Sequence, residues 1–122
     1  MKHDRRPRDP RSFLPLTPRA LQVMLALAPG PLHGYALIQE VARLTERVIV
    51  MRTGTLYLLL RRLCDQGLIE PSDERPPANE DDQRRQYYVL TSLGRSVLDA
   101  EVQRLRTVMT AVRRQGLHWG KP

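Results

Sequence analysis

Cysteine occurs once in the 122 residues, at Cys64, so no disulfide can form within the chain and burial must hold the fold. That usage fits a reducing cytoplasm. Cys64 lies on the apolar side of an expected helix, where a small thiol packs rather than reacts. Aromatics make up only 5% of the residues, so Leu, Val, Ile and Met must build most of the core. No apolar run approaches the roughly 18 residues of a membrane span, and the first 16 residues lack the apolar centre of a secretion signal. The three histidines, His3, His33 and His118, are far apart and show no metal-ligand spacing. No catalytic triad, phosphate-binding glycine loop or paired acid stands out, so the sequence suggests neither an enzyme nor a cofactor. Acid is also in short supply. Twenty Lys and Arg face thirteen Asp and Glu, leaving a formal charge of +7. A small domain this basic favours polyanions, because each neutralised phosphate releases counterions. Eighteen of the cations are Arg, the side chain suited to bidentate contact with phosphate or guanine.

Hydrophobic spacing gives a mainly α chain with a small β-wing. Residues 1–15 carry Lys2, Arg5, Arg6, Arg8 and Arg11 and are expected to be a basic, mobile arm. Residues 16–92 form one compact unit, residues 93–115 a long helix, and residues 116–122 a tail. Thr17-Pro18 is a helix start, followed by Leu21, Met24, Leu25 and Ala28 at helical spacing and stopped by Pro29-Gly30-Pro31. A second helix is expected over residues 34–44 and a third over 53–66, with Gly67 as its terminating glycine. Val48-Ile49-Val50 suits a minor strand. Residues 68–70 and 86–90 suit two wing strands, with a charged loop over 71–85 between them. Two short helices joined by a linker and followed by a hairpin outline a winged helix-turn-helix, which sets one helix in a DNA major groove.

In the third helix Leu56, Leu59, Leu60 and Leu63 point inward. A rotation of about 100° per residue then turns Thr55, Leu58, Arg61, Arg62 and Asp65 outward, with Tyr57 at the margin. Hydroxyls and guanidiniums on one face suit groove reading: Arg bridges the two acceptors of guanine, and Leu58 can meet a thymine methyl. The plainer alternative is a solvated basic surface. In the last helix Leu98, Val102, Leu105, Met109 and Val112 step by 4, 3, 4 and 3. That heptad seam calls for a facing helix, and a second copy of the chain is the expected partner.

The segments HGYALIQEV, TGTLYLLLRRLCDQGLIE and RRQYYVLTSLG resemble, in unbroken order, the PadR family of bacterial winged-helix transcriptional regulators. Gly34-Tyr35, Gly54-Thr55-Leu56-Tyr57, Arg61-Arg62-Leu63, Gly67-Leu68-Ile69, Tyr87-Tyr88, Leu90-Thr91 and Gly94 carry the likeness. The resemblance implies a homodimer, usually a repressor, on a palindromic double-stranded DNA operator. It also implies a single C-terminal dimerisation helix, and in many members a small aromatic or cationic effector.

The candidate DNA-binding residues are then His33, Tyr35, Arg52, Thr53, Thr55, Tyr57, Leu58, Arg61, Arg62, Arg84 and Arg85. His33 has a capping role as its alternative, and Tyr35 a core role. Trp119 would line an effector pocket or belong to a loose tail. Three departures from the family pattern matter. Arg52-Thr53 replaces Ser-Pro, so Thr53 must supply the helix cap. Leu58 stands where proline is frequent. The wing loop reads Asn79-Glu80-Asp81-Asp82, leaving Arg84 and Arg85 as its phosphate contacts. That acidic tip keeps one rival open, a winged-helix module that binds protein instead of DNA, whereas the outward arginines and the basic arm argue against it.

Overall fold

A computed structural model describes residues 8–74 and 85–119. Thr17 Oγ1 accepts the Ala20 amide at 3.2 Å and Pro18 takes the first helical position, which starts α1 at Pro18–Leu27. Ala20, Val23, Met24, Ala26 and Leu27 are buried, and Leu21, Leu25 and Ala28 are partly so. The helix is apolar nearly all round because α2 (Gly34–Leu44) packs on one side while α4 (Ser92–Arg114) packs on another. In α2, Leu37 and Val41 face inward. In α3 (Thr53–Asp65), Leu56, Leu60 and Leu63 are buried and Leu59 is half-buried.

Gly67 ends α3 with φ at 78°. Its amide donates to the Cys64 carbonyl at 2.9 Å and the Leu68 amide to the Leu63 carbonyl at 3.0 Å, the paired bonds of a Schellman turn. The turn aims the chain into β2 (Ile69–Ser72), which pairs with β3 (Tyr87–Leu90) from Ile69 opposite Leu90 to Ser72 opposite Tyr87. A third strand, β1 (Leu32–His33), joins the other side of β3, so the antiparallel order is β1-β3-β2. This is the mainly α, winged helix-turn-helix architecture expected from the sequence. Residues 75–84, which hold Arg84 and the acidic tip, lie outside the described residues.

Thr91 starts α4, accepting the Gly94 amide at 2.9 Å and donating its hydroxyl to the Gly67 carbonyl at 2.6 Å. Gly94 is required here. A Cβ at this position would overlap the Leu68 carbonyl oxygen, so the helix could not lie this close to the chain entering β2.

Four expectations need correction. Val48-Ile49-Val50 is not a strand. Thr45 Oγ1 donates to the Val41 carbonyl at 2.8 Å and accepts the Ile49 amide at 3.1 Å. Glu46 and Arg47 take positive φ, and Val48 is left 85% exposed. Pairing goes instead to Leu32–His33, whose two residues are too few to give a periodic signal.

The second correction concerns the arm. Residues 1–7 lie outside the described residues, but Pro10–Phe13 form a 3-10 helix that packs along α4. Asp9 caps it by accepting the Arg11 amide at 2.9 Å. Phe13, Leu14 and Leu16 rest against the core, and the Arg8 guanidinium lies over the Phe13 ring and against Gly67. The Leu16 amide donates at 3.0 Å to Glu101, which is wholly buried and also receives Arg104. Those hydrogen bonds from Arg104 and the Leu16 amide hold the Glu101 carboxyl below its usual value despite burial. The segment is a strap, fastened where α4 leaves the domain.

The third correction is that Leu98 belongs to the domain's own core at 5% exposure, packed with Val97 and Leu68, and is not available to a seam. Beyond Glu101, no described residue of α4 is buried. Finally, Thr53 does not cap α3 but is its first helical residue. Arg52 holds the cap position and makes no side-chain capping bond.

Candidate nucleic-acid interface

The outward face of α3 follows from which residues turn in. With Leu56, Leu60 and Leu63 buried, Leu58 is 66% exposed and Arg61 and Thr55 stand in solvent. Arg62 is exposed too, but it turns toward the strap. With Phe13, Leu16 and Gln66 it lines a cleft of about 220 Å³. The two arginines therefore divide, Arg61 to the centre of the exposed face and Arg62 to its flank. Arg52 and Thr53 are exposed at the helix start.

Beside α3 lies an open cleft of about 540 Å³, formed by His33, Gly34, Tyr35, Tyr57, Arg85 and Gln86. It brings together the start of α2, one margin of α3 and the base of the wing. Tyr35 is 60% exposed and does not fill the core, the alternative left open by the sequence. Tyr57 is 47% exposed and its ring lies against Gly34, where any Cβ would meet the hydroxyl end of the ring. His33, expected at the DNA surface, is instead 6% exposed. Its Nδ1 accepts the Ala36 amide at 3.2 Å, capping α2, and its ring meets Tyr87 edge-on. Arg85 Nη1 lies 2.8 Å from His33 Nε2, which places the wing base beside the start of α2. His33 thus positions the cleft rather than lining its open side.

Other chemistry is sparse. Burial pushes the Cys64 thiol up, with Asp65 and Glu70 adding to the effect, so the thiol stays protonated at neutral pH. Burial likewise raises the Tyr88 phenol. Among the described residues no His, Cys, Asp and Glu cluster could hold a metal, and no helix is long and apolar enough to cross a membrane. One residue on the exposed face has no side chain by which sequence could mark it. Gly54 sits at its centre, placed there by the same helical rotation that exposes Leu58 and Arg61.

A second surface runs along the outer half of α4. Val102 is 40% exposed, and Leu105, Met109 and Val112 are half-buried. A Schellman turn at Gly116 brings the chain back, and Trp119 comes to rest with the Arg113 guanidinium 4.6 Å from its ring centre. Trp119, Val102, Leu105 and Met109 line a groove of about 370 Å³.

Residues 23–100 match the transcriptional regulator PadR-like family. A PadR family transcription regulator from Clostridium difficile superposes with a TM-score of 0.65 at 25% identity, covering 79% of this chain and 95% of that one. A PadR family regulator from Eggerthella lenta gives 0.57 at 30% identity, covering 80% and 82%. An uncharacterised 37.1 kDa protein of transposon Tn4556 from Streptomyces fradiae is 34% identical over 79 residues, which are 65% of this chain. The chain spans only 20% of that relative's length. The family match covers most of the chain, its order of elements is the one described above, and its members are regulators rather than enzymes. The protein belongs to the PadR-like family of DNA-binding transcriptional regulators.

Proposed function

We propose that the protein is a homodimeric repressor that reads a palindromic operator in the cytoplasm, with α3 in the major groove of each half-site. The exposed stripe of Leu58 and Arg61, with Thr55 on its flank, carries this reading. A helix presenting a methyl-bearing side chain and a guanidinium side by side matches the thymine methyl and the guanine acceptors of the groove. Arg52, Thr53 and Tyr35 border the stripe where phosphates would run, and Arg85 stands at the wing base. The charge of +7 supplies the sequence-independent attraction.

The dimer reading is supported by the half of α4 beyond Glu101, which has apolar residues and no buried ones. Two facing copies would cover Val102, Leu105, Met109 and Val112. Of the small aromatic or cationic effectors that the resemblance implies, the groove beside Trp119 suits the flat aromatic kind, because its walls join an aromatic face to aliphatic side chains while Arg106 and Arg113 would repel a cation.

The test is a mobility-shift titration with the tightest duplex that the protein recovers from a randomised pool. Arg61→Ala should weaken that complex by about 1–3 kcal/mol and blur preference at one base pair in each half-site. An equal loss on random DNA would make Arg61 a phosphate contact, and no loss on either would remove α3 as the reading helix.

A further inference from the structure

No described residue of this protein gives Gly54 a use for being glycine. It is the second residue of α3, and its φ does not fall in the left-handed region. A Cβ built on it meets no described residue within 4 Å. Glycine weakens a helix through the entropy it loses on folding, and alanine would serve better on local grounds. Gly34 and Gly94, by contrast, each have a neighbour in the space that a side chain would need, and Gly67 has a positive φ. Gly30 also has open space, but it lies in the turn between Pro29 and Pro31, outside any helix, where glycine carries no helix penalty. No described residue thus accounts for Gly54, which points to a partner.

The position of Gly54 indicates what that partner is. At about 100° per residue, Gly54, Leu58 and Arg61 fall within about 60° of one another, opposite the buried Leu56, Leu60 and Leu63. Gly54 thus heads the stripe assigned above to groove reading, and the stripe begins with bare backbone. A recognition helix enters the groove by its N-terminal residues, so the first turn lies nearest the DNA. We infer that Gly54 is the point of closest approach between α3 and the duplex, its missing side chain setting the depth at which Leu58 and Arg61 reach the base edges. The inference rests on the groove-reading role of α3. A methyl group at residue 54 would lift the whole stripe outward, and both contacts would lengthen together. Thr55 and Arg62, on the flank of the face, would be disturbed less.

The experiment is a graded series, Gly54→Ala, Gly54→Ser and Gly54→Val, in the full chain. Affinity is measured for the tightest duplex selected by the unaltered protein, and thermal melting is measured without DNA. Affinity should fall about tenfold or more with Ala and further with Val, as expected when bulk is forced into a fitted contact. The melting temperature of the Ala variant should hold or rise by a few degrees. A lowered melting temperature for Gly54→Ala would overturn the inference, because the glycine would then serve the fold. Unchanged binding across the series would also overturn it. Arg61→Ala tells that failure from failure of the underlying reading: if it alone weakens binding, α3 still reads DNA and only the role of Gly54 falls.

Discussion

Two glycines stand in the first turns of two helices, Gly54 in α3 and Gly94 in α4, and they answer to different neighbours. At Gly94 the Leu68 carbonyl occupies the space a side chain would need, and Thr91 caps the turn from both sides. At Gly54 that space is open, and the Arg52 side chain makes no capping bond. The start of α4 is thus complete within the chain. The start of α3 leaves helix propensity and capping stabilisation unused, as binding surfaces tend to. A glycine read from sequence alone does not reveal which kind it is. Only the surrounding space separates one that lets two parts of a protein touch from one that lets a partner in.

The sharpest way to break this comparison is Gly94→Ala. Forcing a methyl into the Leu68 carbonyl should destabilise the fold by about 3 kcal/mol or more, since backbone must move to admit it. Denaturant melts would show it, and a variant melting like the parent would mean that α4 sits further from β2 than described.

A smaller loss is expected further along α4, from Glu101→Gln, at about 2 kcal/mol, because the Arg104 pair and the Leu16 amide lose a charged acceptor. Arg104 is partly exposed, so solvent screens part of that pair. The sign with pH follows from the lowered carboxyl. A group held below its ordinary 4.5 contributes stability above that value and loses it as pH falls through the lower folded value. Acid titration of stability should therefore be shallower in the Gln variant than in the parent below about pH 4.5. Parallel curves would exclude Glu101 as the linked group.

The smallest change brings the two helix starts closer together. Arg52→Ser supplies α3 with the side-chain cap it lacks and should raise stability by about 0.5–1 kcal/mol. DNA binding should weaken, and the slope of log K against log salt should flatten by about 0.9 if Arg52 neutralises one phosphate. Stability and affinity moving in the same direction would show that the unused cap has nothing to do with DNA.

Much of this organisation could be read from the residues because it depends on local rules. Thr17-Pro18 and Gly67 punctuate helices through their own backbone and side-chain bonds, so those ends fell where expected. The Leu pattern of α3 by itself places Leu58 and Arg61 outward. What escaped depended on distant partners. Residues up to 15 were read as a mobile arm because their charges gave no sign that Phe13 and Leu14 would rest on the core and that Glu101 would reach back across 85 positions to Leu16. Leu98 was placed on a heptad seam because periodicity records a face and not which molecule covers it. His33 was read as a surface ligand with capping as its alternative, and it takes the alternative: its ring closes α2 and stands edge-on to Tyr87. Gly54 stood out only in the family likeness, because a contact surface shows in sequence through its side chains and glycine has none.

The return of the chain after Gly116 has a practical side. Trp119 is the chain's only tryptophan, and it rests on the outer half of α4 with a guanidinium against its ring. Indole emission from this protein therefore comes from one place, the groove of Val102, Leu105 and Met109. Any molecule that enters the groove, or any helix laid along it, must change the polarity around that ring or displace Arg113 from it. The protein thus carries its own optical probe of whatever covers α4, readable by dilution or titration with no label attached.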